Sequence, residues 1–471
     1  MLKSWSKRFY SKEFILILLN SILFGIWAIK DVIALRHMLL VSIFLLGTWI
    51  FVVYFKKKAI RFEEDFYLLA TCCLFALMCF WMLMQYCFLS QYPELLKYEL
   101  LSTWLRVFLA VWCGFYCGII IQQRHQYLNC LYLGVLISFL ILFIQYLDKA
   151  DFSSSLFAFD WWGHYIFLGK INAVLIGTIA IAGMGGSLLD VAKASGFKFT
   201  VARIALSIFL TFLILYSYVF IFDSRMGLVL AALLGVIWIC IGTYFSFGKP
   251  GVMGRLKFIS CLSILIIGVG LFAAINAEKN VGWKNLVSDA KIAVQINKYQ
   301  NWKNPVLNGW PNKENGEKVV VSNYERIAWF VAGAREVPRH FLGLGTLNKP
   351  FTRIVDPKLT FGTPVSTHSG WIDMALGYGI PFVVLIFLQL GLIGWKAFTS
   401  SGENKYFILS LLSIIVILYT VGELSTQHSI EILFYLLSFL WALQVSFQAV
   451  VLPSYQMNGE ISPSREGSHG S

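Results

Sequence analysis

The sequence is short of charge. Only 13% of its residues are Asp, Glu, Lys or Arg, while 58% are hydrophobic; soluble domains carry about a quarter charged residues. Too few ionic groups are present to cover a water-facing surface of this size, which excludes a soluble globular protein. A bilayer removes the difficulty, because hydrocarbon asks for apolar exteriors and internally satisfied helices. Cysteine is missing where it would matter most. Cys72, Cys73, Cys79, Cys87, Cys113, Cys117, Cys130, Cys240 and Cys261 all fall inside apolar runs, and the one long polar segment, 277–375, has none. That segment can hold neither a disulfide nor a thiolate zinc site, and the thiols read as small apolar residues. Charge is also scarce in the middles of the apolar runs. Proton- and ion-coupled transporters place ionisable groups there, so a transporter or flippase is disfavoured. The net charge of +13 is confined to short segments between the runs, and no nucleic-acid partner is expected.

What the sequence does have is long apolar runs. They fall at 14–29, 38–55, 66–89, 102–121, 127–147, 171–188, 204–222, 226–246, 257–276, 376–395, 406–422 and 430–450. A span needs ~20 residues, so an all-α polytopic membrane protein of about twelve transmembrane helices is predicted, with membrane lipids as its solvent. The first run lacks a small-residue cleavage site and another follows at once, so it reads as a helix rather than a signal peptide. Residues 1–276 hold the first nine spans, 277–375 a large loop, 376–450 the last three spans, and 451–471 a flexible tail.

Basic residues set the orientation. Lys3, Lys7, Arg8 and Lys12 precede the first span; Lys56, Lys57, Lys58 and Arg61 follow the second. Further basic segments hold Lys193, Lys198 and Arg203, then Lys249, Arg255 and Lys257. Alternate loops carry Glu94, Glu99, Asp148, Asp151 and Asp160 instead. Both termini are therefore expected in the cytoplasm and the large loop outside.

That loop is too long for a passive connector, and long loops on a rigid scaffold tend to carry function. Ser322-Asn323-Tyr324-Glu325 has capping-box spacing, which predicts a helix over 323–336 that stops before Pro338. Arg326 lies in its first turns, on the side of Phe330. A second feature is the polar turn Asp223-Ser224-Arg225-Met226-Gly227 between two spans. A guanidinium there can grip a lipid-linked phosphate bidentately; the alternative is a snorkelling arginine paired with Asp223. The third is Thr367-His368-Ser369-Gly370-Trp371-Ile372-Asp373, leading to Gly377-Tyr378-Gly379. An imidazole titrates near pH 6.5 when unperturbed, so it can accept a hydroxyl proton at neutral pH; the alternative is a histidine that caps a helix.

Together these features resemble the O-antigen ligase and polymerase superfamily. His368-Ser369, nine residues and Gly379 look like its histidine signature, although Phe382 stands where the family has a small residue or Tyr. Ser224-Arg225 looks like its first arginine motif. Arg326, Trp329, Pro338, Gly343 and Gly345 look like its second. The order of spans and loop is similar too, so the resemblance covers most of the chain; each motif is short and degenerate.

The resemblance implies a GT-C-like glycosyltransferase in a bacterial inner membrane, with its active site facing the periplasm. Closest in character is the ligase that moves O-antigen polysaccharide from undecaprenyl diphosphate to lipid A–core in lipopolysaccharide biosynthesis. An O-antigen polymerase or a protein O-oligosaccharyltransferase shares the scaffold. Arg225 and Arg326 would hold the donor diphosphate, His368 would act as base on the acceptor hydroxyl, and direct attack would invert the anomeric carbon. No metal or other cofactor is expected. Lys170, Arg335 and Arg339 would add positive charge. Trp161, Trp162 and Trp371 would stack on sugars or belong to interfacial aromatic belts.

Overall fold

The computed structural model describes residues 12–56, 66–149, 166–195, 201–246, 267–268, 270–278, 280–400, 402, 404–422 and 427–445. Lys3, Lys7, Arg8, Lys57, Lys58, Arg61, Asp151, Asp160, Trp161, Trp162, Lys198, Lys249, Arg255, Lys257, Cys261 and the tail lie outside them, as does most of the run 257–276. Among the described residues every regular element is helical, with two isolated bridges, Ile29–Phe167 and Asn312–Lys318.

Among the described residues seven helices are long and apolar enough to cross a membrane: Ile33–Val53, Leu69–Leu89, Pro93–Gln123, His125–Asp148, Lys170–Val191, Ile204–Ile221 and Ile380–Thr399. Arg225–Ile241, Lys405–Val421 and His428–Ala442 are shorter apolar helices, and Lys12–Ile26 covers most of the first run. Large apolar side chains such as Met38, Leu45, Phe66 and Phe88 point outward, the exterior a bilayer requires.

Buried charge lies near the ends of the apolar runs: Arg106 is the fifth residue of 102–121, Glu431 the second of 430–450, and Arg36 precedes 38–55. Arg106, in the middle of the Pro93–Gln123 helix, donates through Nε to Glu431 Oε1 at 2.6 Å, and Trp27 Nε1 reaches Glu431 Oε2 at 3.1 Å. Arg36 is buried beside them and donates to Trp27 O. Ion pairs of this kind are hard to see in sequence because the partners lie on different helices.

The expected span 376–395 is also corrected. The helix Gly370–Tyr378 ends at Gly379, whose φ of 90° favours glycine, and Ile380–Thr399 begins afresh with Pro381 in its first turn. Residues 341–345 fit into this break. Leu344 N donates to Leu376 O at 2.9 Å, Gly345 N to Gly377 O at 2.7 Å, and Ile380 N to Phe341 O at 2.9 Å. A Cβ on Gly343 would lie 2.3 Å from Gly379 N, so the approach requires glycine. The stretch Gly343-Leu344-Gly345 thus docks the large loop on the bundle. Phe382, the residue that departs from the family pattern, is buried against Trp104, Tyr378 and Phe434.

The large loop folds into a lobe with a small core of its own, including Ile292, Trp302, Tyr324, Ala328, Trp329 and Phe351. Glu99 clamps the lobe to the bundle. Its carboxylate accepts from Thr346 Oγ1 at 2.7 Å, Leu347 N and Asn348 N at 3.0 Å, and Tyr378 Oη at 2.7 Å. Several donors for one carboxylate satisfy a charge that burial would otherwise penalise.

Candidate functional site

Arg225 opens the Arg225–Ser246 helix. A π-helical turn, Ser217–Ile221, ends just before it, a distortion frequent at functional sites. Ser224 Oγ accepts from Gly227 N at 3.2 Å and caps the helix. Asp223 has a left-handed φ of 44° and accepts from Asn276 Nδ2 and Asn280 Nδ2 at 2.9 Å. The alternative pairing of Arg225 with Asp223 is not seen among the described residues. Arg225 instead donates through Nη1 to Asn323 Oδ1 at 2.6 Å and through Nη2 to Ser322 Oγ at 2.8 Å.

Those partners lie at the start of the helix Val321–Glu336, which ends where Pro338 was expected to stop it. The capping box is corrected: Val320 is the cap residue, no side chain caps the helix, and the Ser322 hydroxyl serves Arg225. Tyr324 turns inward, and burial pushes its hydroxyl pKa up to about 12, so it stays neutral. Arg326, one turn after Ser322, lines the same cleft as Phe330.

His368 adopts φ 57°, uncommon for a residue with a Cβ; such outliers persist where the surroundings over-determine them. The neighbours do so here. Thr367 N and Oγ1 both donate to buried Asp373 Oδ1, at 3.0 and 2.8 Å, and Gly370 N donates to Gly422 O at 3.0 Å. A Cβ on Gly333 would lie 2.3 Å from Thr367 Cγ2, so that glycine lets the arginine-bearing helix approach the histidine loop. The His368 ring lies on the indole of Trp329, centroids 5.2 Å apart.

The three stretches meet. Arg225, Arg326 and His368 line one cleft of about 400 Å³, together with Ser322, Asn323, Phe330, Trp283 and the apolar ends of two bundle helices. Leu230, Leu233, Ile417 and Val421 add an aliphatic part to the lining. Neither a known family model nor a curated protein matches the chain. The site therefore rests on its own geometry.

The remaining candidates divide. Lys170 lies near enough to Arg326, Asp223 and Arg225 to feel their charge. Arg335 is engaged with Asn297 Oδ1 at 3.0 Å and Arg339 with Glu336 at 2.6 Å, both outside the cleft lining. Trp371 is corrected: it is buried in the bundle, donates to Val416 O and packs on Phe387 and Tyr419, so no sugar can reach its face. Sequence reasoning missed Asn323 and Ser322 as partners of Arg225. Ser322 was visible only as a cap, because the helix containing Arg225 is about a hundred residues away.

Proposed function

We propose that the protein is a glycosyltransferase that moves O-antigen polysaccharide from undecaprenyl diphosphate to lipid A–core on the periplasmic face of a bacterial inner membrane. One observation carries the reading: two arginines and a histidine from separate stretches line a single cleft whose lining is otherwise largely apolar. Two guanidiniums beside hydrocarbon suit a diphosphate on a lipid tail, since each stays charged and presents a planar fork of donors. The resemblance in the order of the motifs supports the same assignment.

In the reaction, the acceptor hydroxyl oxygen forms a bond to the anomeric carbon as the bond from that carbon to the diphosphate oxygen breaks. His368 takes the hydroxyl proton. Arg225 and Arg326 hold the diphosphate and offset the charge it gains on leaving, a contribution that grows as water is excluded. Attack from the face opposite the leaving group inverts the anomeric centre.

The test is reconstitution of purified protein with lipid-linked glycan and lipid A–core. Formation of a glycosylated core, absent when Arg225→Ala replaces wild type, is expected. Transfer only to a second glycan, or only to a protein acceptor, would assign the polymerase or the protein O-oligosaccharyltransferase instead. Folded protein that transfers to none of them would sink the reading.

A further inference from the structure

We infer that Asp289 and Asn323 form a positioning relay that fixes the guanidinium of Arg225, an inference that rests on reading the cleft as a diphosphate site. The relay begins in the lobe. Asp289 is fully buried on the helix Val281–Ala293, and its Oδ1 lies 3.4 Å from Lys313 Nζ. Its Oδ2 accepts from Asn323 Nδ2 at 2.8 Å, and the same amide nitrogen donates to Gly282 O at 2.9 Å. Both amide protons of Asn323 are thus committed to acceptors. Its Oδ1 must then face a donor, and that donor is Arg225 Nη1 at 2.6 Å.

The backbone closes the other side. A Cβ on Gly282 would sit 2.0 Å from Arg225 Nη1, so the guanidinium packs directly on the glycine. Ser322 takes one proton of Nη2. A guanidinium has five N–H donors, and the relay uses one on each terminal nitrogen. Among the described residues Arg225 makes no other hydrogen bond, and it lines the cleft. Its position is therefore set from behind while its remaining donors serve a ligand.

A buried carboxylate is a costly way merely to join two helices, because an apolar contact of the same volume holds them at least as well. The charge has a use in a chain. It polarises the Asn323 amide, which strengthens the bond from Arg225 to Oδ1. Asp289 and Asn323 are positioning residues: neither needs to touch the diphosphate. Lys313, which also donates to Asn285 Oδ1 at 2.8 Å, balances the charge at the far end.

The experiment reads Arg225 directly. Purified wild-type, Asp289→Asn and Asn323→Ser proteins in detergent are treated with phenylglyoxal, and modification of Arg225 is followed by peptide mass spectrometry against exposed Arg335. Released from its anchors, Arg225 is expected to react several-fold faster in both variants while Arg335 does not change. The pair D289N/N323D restores donor and acceptor in reversed order and should return the slow rate. In a parallel arm, both single variants should bind undecaprenyl diphosphate about tenfold more weakly, and combining D289N with N323S should add little, because the two act in one chain. Unchanged Arg225 reactivity in folded variants overturns the relay, as does a fall in melting temperature with labelling and binding unaltered. Faster labelling in a protein whose wild type does not bind undecaprenyl diphosphate leaves the relay standing and overturns the diphosphate reading. Should D289N fail to fold, N323S alone decides the labelling arm.

Discussion

The imidazole of His368 lies parallel to the indole of Trp329, with ring centroids 5.2 Å apart and planes within 9°. Trp329 is itself held, its Nε1 donating to Trp302 O at 2.9 Å. An aromatic face is electron-rich, so it attracts positive charge that develops over it in the transition state. Such contacts are worth ~0.5–2 kcal/mol, about two- to thirtyfold in rate. Trp329→Ala should lower the transfer rate by that range, whereas Trp329→Phe keeps a ring face and most of the activity. Equal loss in both variants, measured in initial rates, would show that the indole bond to Trp302, rather than the stacking, is what matters.

Arg225→Ala and Arg326→Ala should each abolish detectable transfer while membrane insertion remains intact. Losing a charge-assisted hydrogen bond costs about 1.5–3 kcal/mol, roughly ten- to a hundredfold in rate, and two such contacts act together on one leaving group. Lysine replacements should rescue poorly, because an ammonium lacks the planar fork. Near-normal lipopolysaccharide ladders in a strain carrying either alanine variant would remove the arginines from the chemistry.

The Arg106–Glu431 pair should matter for stability. Both side chains are largely shielded, and Arg36 adds a second buried cation nearby. Glu431→Gln leaves those cations without a counter-charge, a change that costs ~3–5 kcal/mol when one member of a buried pair is removed. Thermal unfolding in detergent should occur at a clearly lower temperature. His428 lies 3.7 Å from Glu431, so its alanine variant should share part of that loss. His340, on the lobe surface beside Glu336, should be neutral for activity when replaced by alanine. A wild-type melting temperature for Glu431→Gln would mean that the charges are compensated in another way.

Asp356 supplies a pH-dependent element. The Thr360 hydroxyl, then the Thr360 and Lys358 amides, donate to its carboxylate and hold its pKa below the ordinary carboxylate range. A carboxyl depressed in the folded state stabilises the turn above the unfolded-state value, about 3.9, and loses that contribution as pH falls through the lower folded-state value. Hydrogen exchange should show Thr360 amide protection disappearing at acidic pH, and absent at neutral pH in Asp356→Asn. Protection that persists in the variant would assign the turn's stability to its backbone instead.

Much of this arrangement was legible in the sequence, and the parts that were not share one cause. The apolar runs, the 323–336 helix stopping at Pro338 and the cationic candidates depend on local pattern, and the structure brings Arg225, Arg326 and His368 to one cleft. What was hidden depends on partners far apart in the chain. Ser322 has the right spacing for a cap, but Arg225 claims its hydroxyl. Trp371 reads as an interfacial aromatic, but the break at Gly379 turns its helix into the bundle. Arg106 and Glu431 each look like isolated polar residues in apolar surroundings until two helices bring them together.

The most direct measurement compares His368→Gln with wild type in reconstituted transfer from lipid-linked glycan to lipid A–core. Glutamine keeps hydrogen-bonding capacity and cannot take a proton, so it separates chemistry from orientation. General base help is worth about 10²–10⁴-fold. The expected result is a fall of that size, with donor binding and the amount of folded protein unchanged. A glutamine variant that retains most of the wild-type rate would contradict the account, leaving His368 as a residue that orients the acceptor or shapes the loop.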